Sequence, residues 1–82
     1  MNKVKSEQLY SIIKEVLRVK ATEDLSMASV PSWDSLRHIQ LLARIQQVFS
    51  IEFDFEDTLN MTTLKAIKEA IEKYSGGGQK AD

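Results

Sequence analysis

With 82 residues, 43% of them hydrophobic and 28% charged, the chain has room for one domain and the composition of a folded core rather than of a disordered segment. It contains no cysteine, which excludes disulfides, thiolate metal sites and cysteine catalysis. The net charge of −1 conceals an uneven spread of +3 over residues 1–20, −5 over 21–60 and +1 over 61–82; the acidic middle disfavours nucleic acid, which needs a basic face, and suits a partner with a basic surface.

The opening Met-Asn-Lys-Val-Lys-Ser-Glu has no apolar run behind its lysines, so a secretory signal is not expected. No stretch approaches the length of a membrane span, and a cytoplasmic location is the default expectation. The first helix is predicted from about Ser6 to Arg18. Leu9, Ile12, Ile13, Val16 and Leu17 make one apolar stripe, Ser6 is the expected N-cap, and Lys14 and Arg18 suit the C-terminal end of the dipole. Residues 19–33 have no period and read as a long loop, which Leu25, Met27 and Val30 pin to the core. Pro31 disfavours helix at Val30 and sets up a turn.

The second helix is predicted from about Ser35 to Phe49. Its stripe is broad: Leu36, Ile39, Leu42, Ala43, Ile45, Val48 and Phe49, with Leu41 beside it. Asp34 is the preferred N-cap, because its carboxylate can accept the unpaired N–H groups of the first turn, with Ser32 as the alternative. Ser35 then stands at the first helical position, outside the bundle. Ile51-Glu52-Phe53 alternates but is too short for a sheet and reads as an extended connector. Asp54 can cap a short third helix from Phe55 to about Asn60. The fourth helix starts after Thr62 or Thr63 and reaches about Tyr74, spaced by Leu64, Ile67, Ile71 and Tyr74, with Gly76 as its C-terminal cap. The expected fold class is all-α: a four-helix bundle with a long first loop and a short third helix, formed by a domain over 1–75 with a flexible tail over 76–82.

Asp34-Ser35-Leu36 is the segment with the most chemical promise. A serine in the first turn of a helix, with an aspartate before it, is a suitable place to hang a phosphate, because the macrodipole and the free backbone N–H groups favour an anion. Taken alone, Ser35 is more readily a first-turn serine that helps to cap a helix. The triplet gains force from its surroundings: Leu41-Leu42, Ile45 and Phe49 on the same helix, then Ile51-Glu52-Phe53, then Met61-Thr62-Thr63-Leu64 opening the last one. On these residues the chain, from about Ser6 to Tyr74, resembles the acyl and peptidyl carrier proteins, four-helix domains that bear phosphopantetheine.

The resemblance implies a cofactor site at Ser35, with 4′-phosphopantetheine added from coenzyme A through a phosphodiester. Asp34 and Leu36 are its expected recognition neighbours. The terminal thiol of the arm would hold an acyl or aminoacyl group as a thioester, for fatty-acid-like, polyketide or other specialised biosynthesis. The implied partners are a phosphopantetheinyl transferase, a loading ligase or acyltransferase, and enzymes that use the thioester. Neither nucleic acid nor membrane is expected as a partner, and a monomer is expected. Without a cysteine, the chain has no internal competitor for the arm's thiol.

The chain departs from carriers of housekeeping fatty-acid synthesis in two ways. Those have glycine and a small residue before Asp-Ser-Leu, where this chain has Ser32-Trp33, which is similar to carriers of specialised pathways. Their second helix is strongly acidic, whereas here it carries Arg37, His38, Gln40, Arg44, Gln46 and Gln47 with no acid after Asp34. The docking surface is accordingly expected on Trp33, Arg37, His38, Ile39, Gln40 and Arg44, facing partners matched to a neutral or mildly basic helix.

Blander readings stand beside these. Ile39 is expected to pack in the core, while Leu36 suits a partner contact as well as it suits the core. His38 is expected to be a solvated histidine, with a bond to the phosphodiester or a partner as the sharper alternative. No second histidine exists, so a catalytic triad is not implied and the chain is not expected to be an enzyme. Asp54, Glu56 and Asp57 lack the glycine and final glutamate of a calcium loop and read as a cap with a solvated acidic edge, so no metal is expected. Ile45, Phe49, Leu59, Met61, Leu64 and Ile67 are candidates to line an acyl-sheltering cavity, with a closed core preferred for the unloaded protein. A noncovalent helix-binding module is the rival from another class. A DNA-binding helical domain is disfavoured by the acidic middle.

Overall fold

The computed structural model describes residues 2–75, which fold into four helices: α1 Lys3–Leu17, α2 Ser35–Phe49, α3 Phe55–Leu59 and α4 Leu64–Ser75. The all-α architecture agrees with the sequence expectation, and there is no strand among the described residues. The expected Gly76 cap and the 76–82 tail lie outside the described residues.

α1 starts one turn earlier than its apolar period suggests. Asn2, not Ser6, is the N-cap: its side chain accepts from the Lys5 N–H at 2.8 Å. The first turn, Lys3-Val4-Lys5, carries no apolar stripe, so the period alone could not reveal it. The helix ends at Leu17, because Arg18 adopts φ 62°, ψ 30° and turns the chain. Leu9, Ile12, Ile13 and Leu17 are buried against Leu41, Leu42 and Ile45 of α2 and against Leu64, Ile67 and Ile71 of α4 in one core. Among the described residues no polar or charged side chain is fully buried.

Residues 18–34 form an ordered strap. Leu25, Val30 and Trp33 are buried and hold it to the core. Ser32, the alternative cap of α2, donates its hydroxyl to the Leu17 carbonyl (2.7 Å) and so closes the end of α1 instead. Arg37 of α2 reaches the neighbouring Val16 carbonyl at 2.7 Å. These two side chains satisfy carbonyls that a helix end leaves orphaned. The strap also pairs with the segment before α4: Met27 N–H donates to Thr62 O (2.8 Å) and Leu64 N–H to Leu25 O (3.0 Å). This antiparallel bridge at Ser26 and Thr63 gave no signal in the sequence.

Ile51-Glu52-Phe53 lies in neither helix nor strand and connects α2 to α3. Ser50, at φ 56°, ends α2 and reverses the chain, and Gln46 Oε1 then accepts from Phe53 N–H at 2.8 Å. α3 follows directly. Asp54 occupies its N-cap position but makes no side-chain cap bond.

Candidate functional site

The site is built at the start of α2. Asp34 is extended (φ −102°, ψ −173°), and its carboxylate accepts from the Arg37 N–H at 2.9 Å, as an N-cap requires. Its backbone carbonyl accepts from the His38 N–H at 2.8 Å, the first helical bond. Ser35 is therefore the first helical residue, and it is exposed. A hydroxyl in this place has solvent access, a helix N-terminus that favours an anion, and an aspartate beside it.

The stripe expected on α2 splits into two. Leu41, Leu42 and Ile45 face the core, with Phe49 packed against it. Leu36 and Ile39 are 62% and 66% exposed, so Ile39 is not the core residue it was expected to be. Trp33 is corrected the other way: at 2% exposure it belongs to the core and cannot meet a docking partner. His38 is not a solvated histidine. It is half-buried, with Nδ1 accepting from Trp33 Nε1–H at 3.0 Å and Nε2 at 2.9 Å from the Thr58 carbonyl. A carbonyl only accepts, so Nε2 carries the proton. Both ring nitrogens are committed inside the protein. Arg37 turns its guanidinium to α1, whereas Gln40 and Arg44 remain exposed and Arg44 pairs with Glu15 at 3.3 Å.

Beside Ser35 lies a groove of about 500 Å³ between α2 and α3. α2 contributes Ser35, His38, Ile39, Leu42, Ala43 and Gln46, and α3 contributes Phe55, Thr58 and Leu59. Met27 and Thr62 close it. No carboxylate, lysine or arginine lines it. Of the six side chains proposed from sequence for an acyl-sheltering cavity, only Leu59 reaches this groove; Ile45, Met61, Leu64 and Ile67 are buried in the core and Phe49 packs against it. Sequence reasoning missed Phe55, 75% exposed at the lip. The available signal was a bulky apolar residue set among acids on a helix too short to bury it.

The acidic edge of α3 holds structure. The Tyr74 hydroxyl donates to Asp57, Lys73 pairs with the same carboxylate at 3.3 Å, and Asp54 N–H donates to Tyr74 Oη at 3.0 Å. The bonds from Tyr74 and then Lys73 hold the Asp57 carboxyl below its usual range, and the bond to Asp57 raises the Tyr74 phenol. Among the described residues no group of three or more His, Asp or Glu side chains is placed to hold a metal ion.

A family model described as phosphopantetheine attachment site matches residues 7–71. The chain belongs to this family. Comparison with curated proteins finds no match. Domains of the phosphopantetheine attachment site family carry covalently bound 4′-phosphopantetheine and are non-catalytic carriers, so this chain is a carrier and not an enzyme. They work with phosphopantetheinyl transferases and acyl-handling enzymes. The start of α2 thus combines an exposed hydroxyl, a helix N-terminus behind it and an uncharged groove alongside. No helix among the described residues is long and apolar enough to cross a membrane.

Proposed function

We infer that Ser35 is the attachment residue and that the carrier domain, spanning 1–75, shuttles an acyl thioester between enzymes of a specialised pathway. The observation that carries this reading is the exposed Ser35 hydroxyl at the first position of α2, on the lip of the groove. In the attachment step Ser35 Oγ bonds to the phosphorus bearing the pantetheine arm of coenzyme A. The pyrophosphate bond breaks, adenosine 3′,5′-bisphosphate leaves, and the hydroxyl proton is lost to solvent or base. Asp34 and Leu36 flank the hydroxyl and are the contacts offered to the transferase.

The uncharged lining of the groove favours an acyl chain over an aminoacyl group, whose ammonium would be desolvated there without a partner. The exposed apolar pair Leu36 and Ile39, with Gln40 and Arg44 alongside, is the docking face for the ligase or acyltransferase that loads the arm and for the enzyme that unloads it. That face has no acid beyond Asp34, which supports dedicated partners rather than those of housekeeping fatty-acid synthesis. The carrier acts as a cytoplasmic monomer.

The test is intact-mass measurement after incubation with coenzyme A and a broad-specificity transferase. The wild-type chain gains one phosphopantetheinyl group and Ser35→Ala gains none. A noncovalent helix-binding module would instead leave the wild-type mass unchanged and would keep its binding in Ser35→Ala. Equal turnover of this carrier and a housekeeping one by a fatty-acid ketosynthase would remove the inference of dedicated partners.

A further inference from the structure

α3 is a five-residue helix with no buried side chain, yet it forms one wall of the groove beside Ser35. A helix of this length has no stability of its own, so its position must come from contacts with the rest of the fold. On the side facing α2, a polar contact of this kind comes from a side chain with both of its nitrogens engaged. His38 stands one turn after Ser35 on α2 and meets the Thr58 carbonyl of α3 through Nε2. Its other nitrogen accepts from the indole of Trp33, which is buried and fixed by the core. The indole N–H can only donate, so it holds Nδ1 unprotonated and places the proton on Nε2, where it points at Thr58. The rings lie 6.0 Å apart at 36°, so Trp33 also supports the imidazole by packing.

We propose that His38 is a positioning residue that fixes α3 over the groove next to Ser35 and so sets how far a load tethered at Ser35 is sheltered from solvent. The part that concerns a load rests on the Ser35 reading; the part that concerns α3 does not. The imidazole lines the groove and acts on α3 through the Thr58 carbonyl. Trp33 selects the tautomer that makes the bond possible. The histidine therefore does structural duty for the groove from the inside, while the outer face of α2 stays free for partners.

Two amide substitutions separate the ring's two bonds. In His38→Gln the side-chain NH2 reaches the position of Nε2 and can still donate to Thr58. In His38→Asn the carbonyl oxygen takes the position of Nδ1 and still accepts from Trp33, but nothing reaches α3. Hydrogen exchange on the unmodified chain reads the outcome. The amides of Thr58, Asn60 and Met61, whose acceptors lie within Asp54–Thr58, exchange between about twofold and tenfold faster in His38→Asn, the range that one lost hydrogen bond produces. They stay near the wild-type rate in His38→Gln. Equal rates in all three proteins, or a rise of the same size in α1 and α4, would overturn the proposal.

A measurement without mutation guards against misfolded variants. The ¹⁵N spectrum of wild-type His38 shows the Nε2–H tautomer; an Nδ1–H ring refutes the arrangement. With an octanoyl thioester loaded on the arm, cleavage by hydroxylamine is faster in His38→Asn than in wild type or His38→Gln, and equal rates refute the sheltering role. If the arm cannot be loaded although the exchange pattern holds, the Ser35 reading falls while the role of His38 at α3 stands.

Discussion

Ile45→Ala and Ile39→Ala form a matched pair that tests which side of α2 faces the core. Both replace an isoleucine six residues apart on one helix, and apolar spacing alone makes them equivalent. The structure does not: Ile45 is fully buried and Ile39 is 66% exposed. Truncating a buried isoleucine costs about 2–5 kcal/mol, the sum of lost transfer energy and the cavity left behind. A chain of this length has about 4–12 kcal/mol of stability in all, so Ile45→Ala removes a large fraction of it. Ile39 loses little on truncation, about 0.5 kcal/mol or less, because its side chain already meets solvent. Urea unfolding followed by circular dichroism reads both. With a slope of about 1 kcal/mol per molar for so small a domain, Ile45→Ala lowers the midpoint by about 2 M or more and Ile39→Ala by about 0.5 M or less. A midpoint loss for Ile39→Ala as large as that for Ile45→Ala would refute the assigned rotation of α2 and, with it, the groove wall that Ile39 forms.

Substitutions at four further residues probe the polar contacts. The Asp57 carboxyl is lowered by Tyr74 and Lys73, so its contribution is present above the ordinary carboxylate range and is lost as pH falls through its lowered folded value. The Tyr74 phenol is raised by Asp57, so its contribution is present below about 10 and is lost as pH climbs through the folded value. Urea midpoints measured across pH thus decline at both ends in wild type; Asp57→Asn flattens the acid limb and Tyr74→Phe the alkaline one, and an unchanged acid limb in Asp57→Asn contradicts the assignment. Asp34→Ala removes the cap of α2 and costs about 1 kcal/mol in thermal unfolding, while Asp34→Asn keeps most of that stability; equal losses in the two would show that the carboxylate is not acting as a cap. Arg37→Met breaks the bond to the Val16 carbonyl and lowers stability by about 1 kcal/mol, against no change if the guanidinium were free in solvent.

The sequence was most legible where a local period coincided with a cap. α2 and α4 were placed within a residue of their observed starts, because Asp34 and the Met61-Thr62-Thr63 segment mark the boundaries and leucine and isoleucine mark the faces. α1 was placed late because Asn2 caps a turn with no apolar signal. The Ser26–Thr63 bridge was invisible, since backbone pairing across about forty residues leaves no local signature. The face of α2 was ambiguous for a definite reason. Leu36, Ile39 and Ala43 form one helical row, and His38, Leu41, Leu42, Ile45 and Phe49 form another. A hydropathy reading merges the two rows into one broad stripe and leaves only the histidine out of it. Only the tertiary setting, with Trp33 buried at the end of the bundle and waiting for an acceptor, shows that the histidine belongs on the inner row.

The same reasoning explains why the groove was misplaced. Of the sequence candidates, Ile45, Met61, Leu64 and Ile67 are strongly apolar positions that complete the core, and a completed core leaves no vacancy for a guest, whereas Leu59 on α3 does line the groove. A groove forms where packing is incomplete, against a helix too short to bury anything. α3 meets that description: its five residues bury no side chain, and it is held by the His38 bond at one side and the Tyr74–Asp57 bond at the other. Its local stability is therefore set by polar contacts and stands apart from the global stability set by Leu9, Ile13, Ile45 and Ile67. Core truncations such as Ile45→Ala shift the unfolding midpoint of the whole domain, whereas His38→Asn and Tyr74→Phe act first on α3. Hydrogen exchange that rose uniformly along the chain in both kinds of variant would deny α3 this separate status and would make the groove wall as rigid as the core behind it.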